Sequence, residues 1–411
     1  MQHVLIREFK LRDSKYYPYR VVHHSTILAW LHGTDEMLFP RLRRLDILHS
    51  NLNVIYAIIL PMIHQGLRQL SIGFMSRSRS TGGSVTQPNL FAEIQLRAPT
   101  LQKLFISGGN YRSDIASIEH PMGLNSWTSL RHFSVAYVHP QSLKVLGTLP
   151  FLEKLAMSLR GPLAEQPQHD FPGLRFIRLV KCGLQDCMTL LRSLISPRLR
   201  SFDVTIRGEY TERGLYNLIC LLASRYSLEN IGIRLKDDKN PDKSLSLLTI
   251  APLFELPNVT HLGIWAYLTE TANDDKMMLA CAQAWPLLER FNIHRGSHPT
   301  ISLATFVAIL GLCPHLIQFL PALDIFSPIP ELHDLHPQNL KIGWLNITVR
   351  PTQDISGADT GLVPGMLLKI CPNLKQLVYS GLNPHEHGFE AAKQAARAVR
   401  EYTINQLYSK S

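Results

Sequence analysis

The chain has 411 residues, with 42 basic and 32 acidic side chains, a net charge of +10 and 45% hydrophobic content. Charged residues make up only 18%, too few beside that apolar content for a disordered chain, and 24 Gly with 26 Pro exclude a collagen-like or low-complexity one. Leucine accounts for 65 residues, about one in six, a bias that calls for a search for internal repeats before any count of domains.

The first 38 residues begin MQHVLIREFKLRDSKYYPYR, charged throughout and lacking the apolar stretch of a secretion signal. Ile27, Leu28, Trp30 and Leu31 form an apolar cluster suited to capping the end of an array, or to a remnant of a lost N-terminal module. From residue 39 a phrase close to Pro-x-Leu-x-x-Leu-x-Ile recurs. Its instances are PRLRRLDI (from Pro40), GLRQLSI (Gly66), PTLQKLFI (Pro99), TSLRHFSV (Thr128), PFLEKLAM (Pro150), PGLRFIRL (Pro172) and PRLRSFDV (Pro197). SLENIGI (Ser227), PNVTHLGI (Pro257), PLLERFNI (Pro286), PHLIQFL (Pro314), the irregular IGWLNI (Ile342) and PNLKQLVY (Pro372) follow. Between phrases the apolar spacing turns helical, as in 51–60, 141–149, 187–195, 211–223, 273–284 and 301–310. The longest apolar run, from Val54 to Ile63, contains Pro61 and falls far short of the roughly 20 residues that cross a bilayer.

The first aliphatic positions of the thirteen phrases run from Leu42 to Leu374, an average interval of about 28 residues in the range of leucine-rich repeats. In such a phrase the fourth and sixth side chains leave a strand on one side and the third and fifth on the other. The expected fold is therefore an α/β leucine-rich repeat solenoid of about 13 repeats, with a curved parallel sheet on the concave face and helices on the convex face. Its expected limits are residues 39–382, with 1–38 as N-terminal segment and 383–411 as a C-terminal capping helix built on EAAKQAARAVREY. A doubly wound α/β enzyme fits less well, because Arg, Asp, Gln, Asn and Ser interrupt every strand where strands buried on both faces would be continuously aliphatic.

Phrases such as FPRLRRLDI and CPNLKQLVY resemble the repeat region of fungal F-box-like proteins, with ribonuclease-inhibitor-like geometry. The resemblance implies a non-enzymatic interaction scaffold that recognises substrates for a Skp1-cullin-type ubiquitin ligase. In that family an N-terminal helical F-box opening with Leu-Pro docks on the Skp1 adaptor. The 38 residues ahead of the first phrase contain no Leu-Pro, so a Skp1-like adaptor is expected only if an F-box lies upstream. The alternatives are a stand-alone repeat protein with no ligase link and a nucleic-acid binder acting through the basic half.

The expected binding surface is the concave face, its partner another protein. Phe105, Phe176 and Trp344 occupy outward third or fifth positions and are the candidate contact anchors, since exposed aromatics on a polar face carry much interface energy. Residues 1–235 hold 28 basic and 16 acidic side chains (+12), and 236–411 hold 14 and 16 (−2). Arg43, Arg68, Arg131, Arg175 and Arg200 all fall at the second position of a phrase. Stacking puts them in one column, suited to an acidic or phosphorylated partner. A solubilising habit of the repeat is the competing reading, with Glu153 and Glu229 at equivalent places. The pI near 9.3 raises nucleic acid as a partner, but no binding motif accompanies it.

No catalytic, cofactor or metal motif is present; His385-Glu386-His387 and His333-Asp334-x-His336 lack further spaced ligands. The insertion 75–88 is expected to be a mobile loop, with Ser78, Ser80 and Thr81 beside Arg77 and Arg79 as candidate phosphorylation sites. Six scattered cysteines without a CxxC pair suit reduced, buried thiols in a cytoplasmic or nuclear protein.

Overall fold

The computed structural model describes residues 7–12, 39–49, 60–74, 90–108, 117–118, 127–159, 169–236, 244–268, 274–294, 301–324, 341–348, 367, 370–374 and 376–379. The candidate loop 75–88, the histidine groups near 333 and 385, the cluster at 27–31, the expected C-terminal helix 390–402 and all but the last residue of the expected helix 51–60 lie outside the described residues. The chain divides into two compact units, one of Met1–Cys182 with Asp186–Leu199 and the other of Gly183–Gln185 with Arg200–Ser411.

The principal strands of the first unit are β1 (Glu8–Arg12), β2 (Arg44–His49), β3 (Gln69–Phe74), β4 (Lys103–Gly108), β5 (His132–Val138), β6 (Lys154–Leu159) and β7 (Phe176–Cys182). Each pairs in parallel with the next, and the register does not slip at the phrase: Glu8, Arg44, Gln69, Lys103, His132, Lys154 and Phe176 stand side by side. Parallel neighbours need a crossover, and the sequence supplies it in α1 (Leu90–Arg97), α2 (Pro140–Gly147) and most of α3 (Leu184–Ser193). Pro140 opens α2, where its missing N–H costs nothing.

In the second unit the strands are β8 (Ser201–Arg207), β9 (Asn230–Lys236), β10 (His261–Trp265), β11 (Arg290–His294), β12 (Gln318–Asp324), β13 (Trp344–Thr348) and β14 (Gln376–Tyr379). They too are parallel and in register, with Ser201, Asn230, His261, Arg290, Gln318, Trp344 and Gln376 in one row. The crossovers are α4 (Glu212–Arg225), a 3-10 helix at Leu247–Glu255, α5 (Asp274–Ala284) and α6 (Leu303–Leu312). In α4 the Thr211 hydroxyl accepts the Gly214 N–H at 3.0 Å, a capped start, and Leu215, Leu218, Ile219 and Leu222 bury one face.

The sheet core follows the phrase. All thirteen first-position residues are buried, none more than 2% exposed. Fourth-position side chains from Leu45 to Leu345 are buried with them, and so are Ile47, Ile72, Ile106, Val135, Met157, Leu179, Val204, Ile233, Ile264 and Ile293 at the sixth. In the second unit this core contains an aromatic chain, Trp285 to Phe291 (6.5 Å) and Phe319 (5.9 Å), with Phe306 5.0 Å from Phe319 and half-buried Phe254 5.3 Å from Trp285. Buried Trp285 donates its indole N–H to Leu253 O at 3.2 Å, which satisfies the one polar atom that such burial would strand.

Every phrase coincides with a strand. Several elements differ from the sequence reading, the 3-10 helix at Leu247–Glu255 among them. Strand β1 lies in the segment expected to cap the array, and its phrase Ile6-Arg7-Glu8-Phe9-Lys10-Leu11 carries Ile and Phe where leucine was sought. Helix α1 (LFAEIQLR) was not anticipated, being barely two turns long. The expected helix at 301–310 begins two residues later, because Ile301–Ser302 pairs with β12 and Ser302 caps α6, its hydroxyl accepting the Thr305 N–H.

Candidate protein-binding face

Outward third and fifth positions leave each unit with an open face of half-buried polar, charged and aromatic side chains. In the first unit the third-position row brings Lys103, His132, Lys154 and Phe176 together, and the fifth-position row holds Phe105 between Ser71 and Ser134. Arg178 lies over the Phe176 ring at 5.7 Å, a contact of about 0.5–1 kcal/mol at an exposed site. Burial holds the His132 pKa below its ordinary value, helped by cationic Lys154, Lys103 and Arg131 and opposed by Glu153. On β2 the positive Arg44 is offset by Asp46 at 2.9 Å.

The second-position residues form a column through the backbone. In the first unit Arg43 N–H donates to Arg7 O, Arg68 to Arg43, Gln102 to Arg68, Arg131 to Gln102, Glu153 to Arg131 and Arg175 to Glu153, all at 2.8–2.9 Å. In the second, Glu229 donates to Arg200, Thr260 to Glu229, Glu289 to Thr260, Ile317 to Glu289 and Gly343 to Ile317. The side chains then take different duties. Arg43 donates to Gly66 O (2.9 Å), Arg68 to Thr100 O (3.1 Å) and Arg200 to Ser227 O (3.0 Å). In each case the acceptor is the carbonyl just ahead of the next phrase's first aliphatic residue. Arg131 pairs with Glu153 at 2.8 Å and Arg200 with Glu229 at 3.6 Å, exposed pairs of about 0–1 kcal/mol. Arg175 is exposed, and no carbonyl bond of this kind engages it among the described residues.

Trp344 lies on β13 between Gln318 and Gln376; its side chain is outside the described residues. The sequence reading missed a cluster in the second unit. At the fifth position of β8, β9 and β10 stand Asp203, Gly232 and Gly263. Two residues on, Arg234 stands directly opposite Trp265, its guanidinium carbon 4.2 Å from the indole centroid, with Nη1 3.6 Å from Asp203 Oδ1. The glycines make this possible. A Cβ at Gly263 would collide with the six-membered ring of Trp265, and one at Gly232 would lie 3.1 Å from Asp203 Oδ1. Glycine inside a strand marks such a close approach, and the pair in SLENIGI and PNVTHLGI was the available signal.

A parallel strand from each phrase, beside the strand of the next, with its first aliphatic residue buried and its odd positions outward, decides the architecture. The fold is a leucine-rich repeat array. No family model matches the chain, and no curated protein does either. Among solved structures, an internalin from Listeria monocytogenes is similar at 10% identity and a TM-score of 0.33, covering 83% of this chain and 82% of that one. Among the described residues no helix of this repeat protein is long and apolar enough to cross a membrane, and no three His, Cys, Asp or Glu side chains group as metal ligands.

Proposed function

We propose that this leucine-rich repeat chain is a non-enzymatic scaffold that binds another protein through the open face of its sheet, and that the partner segment held by the first unit is acidic. The observation that carries this reading is the in-register row Lys103, His132, Lys154 and Phe176, with Arg178 stacked beside it and Arg175 exposed at its edge. Cations around aromatic surface complement a carboxylate- or phosphate-bearing segment. Phe105 and Phe176 supply the apolar contact and Arg175 the flanking charge, while Arg131 is offset by Glu153 at 2.8 Å. The structural bonds of Arg43, Arg68 and Arg200 leave these three a smaller share of the binding. Recognition of substrates for a Skp1-cullin-type ligase rests on the likeness of the phrases to F-box-like proteins.

The test is affinity capture from a nuclease-treated native extract, with wild-type chain beside Lys154→Glu/Arg175→Glu and Phe176→Ala. The expected result is one captured set lost in both variants, at a wild-type thermal midpoint. Equal recovery in all three chains overturns the reading. A Skp1-type adaptor in the captured set supports the ligase role, and its absence supports the stand-alone scaffold. A set recovered only from a parallel untreated extract favours nucleic acid instead.

A further inference from the structure

We infer that the Asp203, Arg234 and Trp265 cluster is a second, preorganised docking site of this chain, and that it takes a carboxylate presented by a protein segment, with Trp265 receiving the apolar side chain next to that carboxylate. The site lies in the second unit. It rests on the scaffold reading only in taking a protein as ligand, and uses none of the first unit's basic row.

A flexible arginine on a sheet surface loses side-chain freedom when it binds, and a preorganised one avoids that loss. Here the guanidinium of Arg234 is held from two sides, by the indole at 4.2 Å and by the Asp203 carboxylate at 3.6 Å. The side chain of Arg234 nevertheless remains 38% exposed while that of Asp203 is only 13% exposed. The carboxylate thus orients the guanidinium from below and leaves solvent-facing N–H donors, of the five that an arginine carries.

The surrounding charge selects the ligand. Outward positions of β8, β9 and β10 read Ser201, Asp203, Thr205, Arg207; Asn230, Gly232, Arg234, Lys236; and His261, Gly263, Trp265. Asp203 is the one carboxylate among them, against three cations at the far ends of β8 and β9. Arg207 and Lys236 are both exposed and stand opposite each other in the register. A net positive end of the face, beside half-buried indole surface, favours an anionic segment. Asp203, 3.6 Å from the same guanidinium, balances most of the Arg234 charge, so what a ligand meets there is a planar fork of N–H donors suited to the two oxygens of a carboxylate.

The glycine floor makes the test specific. Gly263→Ala removes no charge and no donor, yet its Cβ must displace the Trp265 ring, so it unseats the platform under Arg234. The experiment is fluorescence anisotropy on the full chain with a labelled Glu-Glu-Leu-Glu-Glu peptide, its Gln-for-Glu counterpart and a phosphoserine counterpart. The wild-type chain should bind the glutamate peptide at least tenfold more tightly than the glutamine one, and more tightly than the phosphoserine one. In the Lys154→Glu/Arg175→Glu background, which removes the contribution of the first unit's row, Arg234→Gln should still lose at least tenfold in affinity and Gly263→Ala several-fold. Circular dichroism and thermal midpoints check that each variant folds. Equal affinity in wild type, Arg234→Gln and Gly263→Ala overturns the site, as does preference for phosphoserine. Loss only in the Lys154/Arg175 variant overturns this site and leaves the scaffold reading standing.

Discussion

Arg68 and Arg175 occupy the same place in the phrase and do different things. Arg68 closes a turn of the next phrase through Thr100 O, and with Gly66 O and Ser227 O serving Arg43 and Arg200 the same way, the residue type is used as a bracket. Arg68→Ala leaves a half-buried carbonyl without its donor and is expected to cost about 1 kcal/mol. Arg175→Ala should stay within about 0.5 kcal/mol of wild type. Urea midpoints of the two variants decide whether the column divides in this way. The spacing of the arginines was legible in the sequence, but their acceptors were not, because each carbonyl lies 23 to 32 residues downstream and offers no side-chain signal. Trp265 escaped notice for a related reason: it stands at the seventh place, beyond the third and fifth positions used to find outward aromatics, and so does its partner Arg234 on the neighbouring strand.

Strands were the most legible elements, since the phrase fixes both their inward residues and their neighbours. Helices between them were read less well: α1 is short, and the Leu247–Glu255 segment, with Pro252 inside, adopts 3-10 geometry that a 3.6-residue period does not reveal. Phe291 on β11 sits between Trp285 and Phe319 and is 1% exposed, so Phe291→Ala should cost about 3–5 kcal/mol by loss of burial and opening of a cavity, seen as a lower urea midpoint. The same elements set the response to pH. Burial lowers the pKa of His64, His132, His169 and His261, so the unfolded chain takes up their protons first. Stability is full above about pH 6.5, the unperturbed value, and falls as pH drops below it. In the other direction, burial pushes the Cys313 thiol at the end of α6 up to about 11 and the Cys371 thiol up to about 12. Unfolded thiols ionise first there, so stability is lost as pH rises above 9.0, the ordinary thiol value. Thermal midpoints at pH 5.5, 7.5 and 10 should peak at the middle value, and Cys313→Ala should shrink the alkaline fall.

At the scale of the molecule, the net +10 becomes two local arrangements: a basic aromatic row in the first unit and a cationic end of β8 and β9 in the second. Both act at the surface, so capture of an acidic partner should weaken as salt rises from 50 to 300 mM. The Lys154→Glu/Arg175→Glu chain should show a shallower salt dependence; equal slopes count against charge as the basis of capture. Composition indicated that a basic face existed, whereas the side chains that compose it emerged only from lateral register. The partner itself stays illegible in sequence because outward positions obey no packing rule. That freedom follows from the backbone column at the second position. Intervals between phrases range from 22 to 34 residues, yet from β1 to β7 in the first unit and from β8 to β12 in the second each strand meets the next at the same place, anchored by the same pair of amide hydrogens on one carbonyl. Lengthening or trimming a connection therefore leaves the printed order of the face intact. A new specificity can be written by exchanging two or three outward letters in one line, without resetting the lines above or below it.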